Sequence, residues 1–179
     1  PFLSREQGDD VLKIFASILS GKTKLDILIL EGAIPNGPDN TGRFFMFHGR
    51  PFRDWIAEFC KHAEMVMAVG TCAAFGGVVT GHENINEMSG LQFLHNQKGG
   101  LLGADYVSKN RLPVVNVPGC PSHPDWIVET MTAVLKGWLG MEDLDEFHRP
   151  KVFFSKLAHH GCPRNEYYEF KASAIRYSQ

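Results

Sequence analysis

The strongest constraint on this chain lies in the run Val114-Val115-Asn116-Val117-Pro118-Gly119-Cys120-Pro121. Its first four residues are mostly apolar and β-branched, and short enough for a buried strand. Pro118 and Pro121 then exclude helix and ladder pairing around Cys120. The thiol is therefore expected on a stiff loop at the carboxyl end of a strand. In an open parallel sheet, that edge is where ligands collect. Two readings stand: Cys120 as a metal ligand, and Cys120 as a buried small hydrophobe, the commoner fate of a lone cysteine.

Residues 65–77 repeat the logic. Met65-Val66-Met67-Ala68-Val69 reads as a strand, and Gly70-Thr71-Cys72 follows it, with Gly76-Gly77 close behind. The glycines let backbone approach a neighbour closely. Cys72 falls near an expected helix amino terminus, where partial positive charge favours the thiolate. Two strands that each deliver a cysteine to one sheet edge suggest a shared ligand. Soft sulfur donors with no nearby carboxylate point to iron–sulfur or zinc rather than a hard cation. Neither C-x-x-C nor H-E-x-x-H occurs, so local spacing does not name the metal.

The remaining chain reads as alternating helices and strands. Val11, Leu12, Ile14, Phe15, Ile18 and Leu19 recur at helical spacing before Gly21, with Ser4 and Gln7 as a candidate capping turn. The segment LDILIL, residues 25–30, is a strand. A loop rich in Gly, Pro and Asn follows through Gly42, and loops of that length are usually functional or interfacial. No G-x-G-x-x-G or Walker pattern supports a phosphate cradle there. Phe44-Phe45-Met46-Phe47 reads as local core or as a contact surface for another subunit. A helix over 54–63 places Cys60 on its apolar side, where packing is the expected role. Residues 78–108 look like a polar, glycine-rich insertion, with His82 and His95 at its surface. Pro124 and Asp125 start a helix that runs through Leu135. Residues 144–150 form a connector, and Val152-Phe153-Phe154 a short strand or extended arm. In His159-His160-Gly161-Cys162 the H-x-x-C spacing can put imidazole and thiolate on one metal, although structural histidines are common.

Composition bounds the rest. The 179 residues suit one domain, with 44% apolar residues to build a core. A net charge of −2 argues against nucleic-acid binding through a broad basic face. No apolar stretch is long enough to span a membrane. Four cysteines in a chain of this size do not make a disulfide scaffold. The ends at Pro1 and Gln179 read like the interior of something longer, so the absence of a leader says nothing about compartment.

Taken together, Leu30-Glu31-Gly32-Ala33-Ile34, Val69-Gly70-Thr71-Cys72-Ala73, Val117-Pro118-Gly119-Cys120-Pro121 with His123-Pro124-Asp125-Trp126, and residues 159–164 resemble the electron-transfer small subunit of a nickel–iron hydrogenase. The Gly90-Leu91-Gln92-Phe93 and Lys98-Gly99-Gly100 segment is similar to the cytoplasmic-side uptake and hydrogen-sensing branch. The resemblance implies an α/β, flavodoxin-like fold: an open, mostly parallel sheet with helices on both faces and a less regular C-terminal segment. It implies a proximal-cluster domain over residues 1–150 and the start of a distal-cluster region over 151–179. Cys72 and Cys120 match two of the four ligands of a proximal 4Fe–4S cluster, and Glu31 the strand-end glutamate near it. His159 and Cys162 match the first two ligands of a distal 4Fe–4S cluster, whereas His160 and Cys60 match no ligand. The remaining ligands, including all those of a middle cluster, would lie before Pro1 or after Gln179. The implied partners are a large subunit, which alone carries the nickel–iron centre, and a downstream electron acceptor. The implied location is the cytoplasm, with or without membrane association. Three other readings stay open: the iron–sulfur subunit of a quinone-reducing complex, against which residues 159–164 argue; a cluster-free interaction or assembly module; and a structural zinc site at His159, His160 and Cys162.

Overall fold

The computed structural model describes residues 6–162, 169–171, Tyr167 and Arg176, leaving aside the side chains of Ala158 and His159. Its centre is a parallel sheet of three strands in the order β1-β2-β3: β1 Leu25–Glu31, β2 Ala63–Val69 and β3 Val115–Val117. Of the helices, α1 (Asp9–Leu19) precedes the sheet, α2 (Phe52–His62) joins β1 to β2, and α3 (Gly70–Phe75) leaves β2 directly. The helix α4 (Pro124–Leu135) follows β3.

The middle strand explains why helices cover both sheet faces. Met65, Val66, Met67 and Ala68 are all at most 1% exposed, as expected of a strand buried on both sides. Side chains alternate along it. Val66 and Ala68 join the core that holds Ile56 and Cys60 of α2, with Leu91 and Val114. Met65 and Met67 join Val115, Val117 and Leu144 in a second core, over which Trp126, Ile127, Met131 and Val134 of α4 pack. Cys60 is thus a packing residue, and burial pushes its thiol up to about 12.

The N-terminal helix keeps its expected face. Phe15 sits against Phe59, Trp55 and Phe47, with ring centroids 4.7, 5.5 and 6.0 Å away. Its N-cap is Gly8, which offers no side-chain bond, and the capping turn expected at Ser4 lies outside the described residues. The aromatic loop after β1 divides. Phe47 joins the ring cluster on α2, whereas Phe44, Phe45 and Met46 are exposed.

Two sequence expectations fail. The polar, glycine-rich composition of residues 78–108 does not keep them out of the core: Leu91, Gln92 and Phe93 are at most 1% exposed. The Gln92 side chain donates to the carbonyls of Ala104 and Tyr106 and accepts from the Val114 N–H. With its polar atoms satisfied, a glutamine is buried at little cost, so a polar composition hides a core wall. The same bond takes the N–H of Val114 out of the ladder, and β3 starts one residue later than the apolar run suggests. His82 and His95 within this segment are exposed, as expected.

The second failure is residues 152–154, which form no strand or arm. They belong to α5 (Lys151–Phe154), a single turn in which the Pro150 carbonyl accepts from the N–H groups of Phe153 and Phe154. Proline sets the entry angle of that turn, and the two rings pack onto Trp126 of α4. A last turn, α6 (Ala158–Gly161), leads to Cys162.

The outer edge of β3 is covered by residues 147–148. The Asn116 N–H donates to the His148 carbonyl (2.9 Å), and Asn116 Nδ2 donates to that of Phe147 (2.8 Å). Covering removes an open strand edge. His148 is consequently buried, which lowers its imidazole to about 4, reinforced by Lys98 and opposed by Asp145 and a backbone hydrogen bond at Val114. Among the described residues no helix is long and apolar enough to cross a membrane.

Candidate functional site

The register of the sheet positions the site. Glu31 is opposite Val69, and Val69 is opposite Val117, so the three strands end on one row. Cys72 lies three residues beyond Val69, and Cys120 three residues beyond Val117. Neighbouring strands sit about 4.8 Å apart, so both thiols leave the same rim on adjacent loops. Glu31 closes β1 on that rim and is exposed.

The two loops are bonded to each other. Thr71 N–H donates to the Gly119 carbonyl (3.0 Å), and Gly119 N–H donates back to Thr71 Oγ1 (3.1 Å). Gly70 N–H donates to Ser122 Oγ (3.0 Å), whose own hydroxyl donates to the Val117 carbonyl (2.7 Å). Three hydrogen bonds thus fix the cysteine loops relative to one another, and the fourth braces the Cys120 loop against the end of its own strand. Thr71 and Ser122 were not singled out by sequence reasoning. Their signal was a hydroxyl next to each Gly–Cys turn, which acquires meaning only once the two turns are neighbours.

Cys72 is the third residue of α3 and half-buried, while Cys120 is exposed. The helix ends at Gly76, whose N–H returns to the Cys72 carbonyl (2.8 Å). The next residue, Gly77, has φ +67° and lies so close that a Cβ there would collide with Cys72 Sγ. Glycine is required twice over at this position: for the backbone angle, and to leave room for the sulfur. Beside the rim opens a cleft of about 350 Å³, lined by Thr71, Phe75, Gly77, Phe147 and Arg149 among others.

None of the four cysteines is in a disulfide. Among the described residues, no three His, Cys, Asp or Glu side chains come together as a metal-holding group. Cys72 and Cys120 are two sulfur donors on bonded loops at one rim, the donor type an iron–sulfur group takes, and among the described residues no third donor joins them. His159 and Cys162 occupy a separate segment beyond α5. His159 lies on α6 with its side chain outside the described residues, and Cys162 is exposed. The zinc reading at His159, His160 and Cys162 falls partly outside the described residues for the same reason.

Known proteins are similar to this chain over most of its length. The chain is 38% identical over 154 residues to the F420 non-reducing hydrogenase I small subunit of Methanosarcina mazei, covering 80% of this chain and 39% of that protein. It is 31% identical to the periplasmic [NiFe] hydrogenase small subunit of Solidesulfovibrio fructosivorans, covering 79% of this chain and 39% of that one. Among solved structures, the actinobacterial-type NiFe-hydrogenase from Ralstonia eutropha H16 superposes with a TM-score of 0.78 at 31% identity, covering 100% of this chain and 53% of its counterpart. The Ni-Fe-Se hydrogenase from Desulfomicrobium baculatum superposes with a TM-score of 0.76 at 27% identity, covering 97% and 63%. The chain thus spans about two fifths of the length of the curated relatives it matches. The family described as NADH ubiquinone oxidoreductase, 20 Kd subunit, matches residues 4–134. By that match the chain belongs to this family, and within it is similar to the small subunits of nickel–iron hydrogenases.

Proposed function

We propose that this chain is the electron-transfer part of a nickel–iron hydrogenase: a partner large subunit oxidises dihydrogen, and this chain conducts the electrons away to an acceptor. The observation that carries the reading is the reciprocal bonding of the Cys72 and Cys120 loops at the ends of adjacent strands. The hydrogenase small subunits among its relatives support it.

In this reading Cys72 and Cys120 hold half of a proximal 4Fe–4S cluster, with Glu31 on the same rim. His159 and Cys162 supply two ligands of a distal one, dividing the chain into a proximal-cluster unit, residues 1–150, and the start of a distal-cluster region, residues 151–179. Such clusters, when bound, supply one-electron redox chemistry. The protein's own part is positional. The Thr71–Gly119 and Gly70–Ser122 bonds hold both thiol-bearing loops at a set separation, so little reorganisation accompanies a change of charge. Gly77 leaves the Cys72 sulfur unobstructed. We assign the complex to the cytoplasm on the likeness of residues 90–100 to the cytoplasmic-side branch, which cell fractionation checks.

The deciding experiment uses the complete protein with its partner subunit, prepared without oxygen. Cys120→Ala is expected to lose proximal iron and hydrogen-dependent viologen reduction. Retention of both at wild-type levels refutes the assignment. A protein that binds iron yet reduces no viologen under hydrogen favours the subunit of a quinone-reducing complex instead.

A further inference from the structure

The segment carrying His159 and Cys162 meets the body of the protein through a group of rings, among other contacts. Its first turn, α5, has few apolar anchors: Val152 is 79% exposed, and Leu157, just beyond, is 69% exposed. Phe153 and Phe154 are the partly buried residues of the turn. Phe153 stacks on Trp126 with centroids 5.4 Å apart and planes at 17°, and Phe154 meets the same indole edge-on at 5.2 Å. The Arg149 guanidinium lies 5.2 Å over Phe154 and is held by Asp145 (Nε to Oδ2, 2.7 Å).

Trp126 is also linked to the other site, through His123. It lies in the first turn of α4, whose N-cap is His123; the His123 ring is 5.6 Å from the indole and its Nδ1 accepts from the Asp125 N–H (3.3 Å). His123 follows Ser122, the residue that bonds the Cys120 loop to the Cys72 loop. One rigid side chain therefore touches His123, the residue after Ser122, on one side, and the turn from which His159 and Cys162 extend on the other. Hydrogen bonds also meet this segment: Lys151 Nζ donates to the Glu142 carbonyl, and Leu144 bridges to Pro150. These bonds hold the start of the segment, and the rings hold the turn that follows.

We propose that Trp126 is a positioning residue for electron transfer: its stack on Phe153 fixes the separation between the Cys72/Cys120 rim and the His159/Cys162 segment. The inference rests on the function proposed above, and extends it to a residue that binds no cluster. An aromatic plane suits the task, because offset stacking constrains both distance and tilt, which an aliphatic contact does not.

The test uses the complete protein with its partner subunit and the variants Trp126→Ala and Trp126→Phe. Two readouts are followed: the magnetic splitting between reduced clusters, which falls with the cube of their separation, and amide exchange over residues 153–162. Trp126→Ala is expected to keep its iron, diminish or broaden the splitting and exchange these amides at least about tenfold faster, while Ala63–Val69 stays protected. Trp126→Phe restores both readouts towards wild type. If Trp126→Ala does not fold, Phe153→Leu removes the stack from the other side, leaves α4 intact and must give the same result. Wild-type splitting and exchange in the alanine or leucine variant overturn the proposal. A wild-type protein that binds no iron overturns the function proposed above and this role with it, so the two failures are told apart.

Discussion

The rim that carries Cys72 and Cys120 and the segment from Lys151 to Cys162 reach definite positions by different physical means. At the rim, strand register brings two loops together and hydrogen bonds between backbone and hydroxyl groups lock them. In the segment, short turns are held through rings on Trp126 and a cation over Phe154. Hydrogen bonds are directional, and a lost partner leaves an unsatisfied group. Ring packing draws mostly on buried apolar area, which is lost by degrees. Each lost rim bond should therefore carry its own stepwise penalty, and the segment should respond in proportion to the apolar surface removed.

The sharpest challenge to that contrast is Gly77→Ala. A positive φ and a Cβ against Cys72 Sγ together should cost about 3–4 kcal/mol. Chemical denaturation measures the loss, and iron content in the assembled complex should fall with it; a near-neutral variant would show that the rim is as yielding as the segment. Close behind is the pH response of the covered edge of β3. The His148 imidazole titrates near 4 when folded and near 6.5 when unfolded. Between those values the unfolded chain binds more protons. Stability contributed by the neutral ring is therefore complete above pH 6.5 and lost as pH falls towards 4, by about 3 kcal/mol. Urea midpoints across that window test this, and a His148→Phe variant should flatten the curve.

Smaller changes separate the two regions further. Ser122→Ala removes the acceptor of Gly70 N–H and the donor to Val117, and should destabilise by about 1–2 kcal/mol. Thr71→Val, which keeps the shape and removes only the acceptor for Gly119 N–H, should cost about 1 kcal/mol. The smallest effect is expected from Val152→Ala on the exposed side of α5: within about 0.5 kcal/mol, read as an unchanged denaturation midpoint. A loss at Val152 that matched the one at Ser122 would remove the distinction between stitched rim and ring-held segment.

Much of this molecule was legible in its residues. The two apolar runs that end in Gly–Thr–Cys or Pro–Gly–Cys announced strands with thiols at their carboxyl ends, because β-branched side chains, glycine and proline act locally on the backbone. The helix that begins at Pro124 was equally plain, since proline at a first helical position and an acidic first turn are local signals. What composition concealed was burial. Gln92 stood in a stretch that read as a polar insertion and is core, because three backbone groups distant in sequence satisfy its amide. His148 looked like part of a connector and is buried, because β3 needed an edge cover. Phe153 and Phe154 looked like a strand and form a turn, because Trp126, more than twenty residues earlier in sequence, offers their rings a surface.

The division follows from the range of the forces. The sequence alone determined which backbone stretches extend, where they stop and which soft donors stand at the stops, since each depends on residues within a few positions of one another. Only the tertiary structure decided that Val69 and Val117 share a row, that Thr71 and Gly119 exchange hydrogen bonds, and that one indole meets both the helix from the rim and the turn beyond it. Those facts depend on register and packing between segments some fifty and thirty residues apart. No local propensity encodes such a meeting until the burial of the sheet's two faces selects one arrangement of the whole chain.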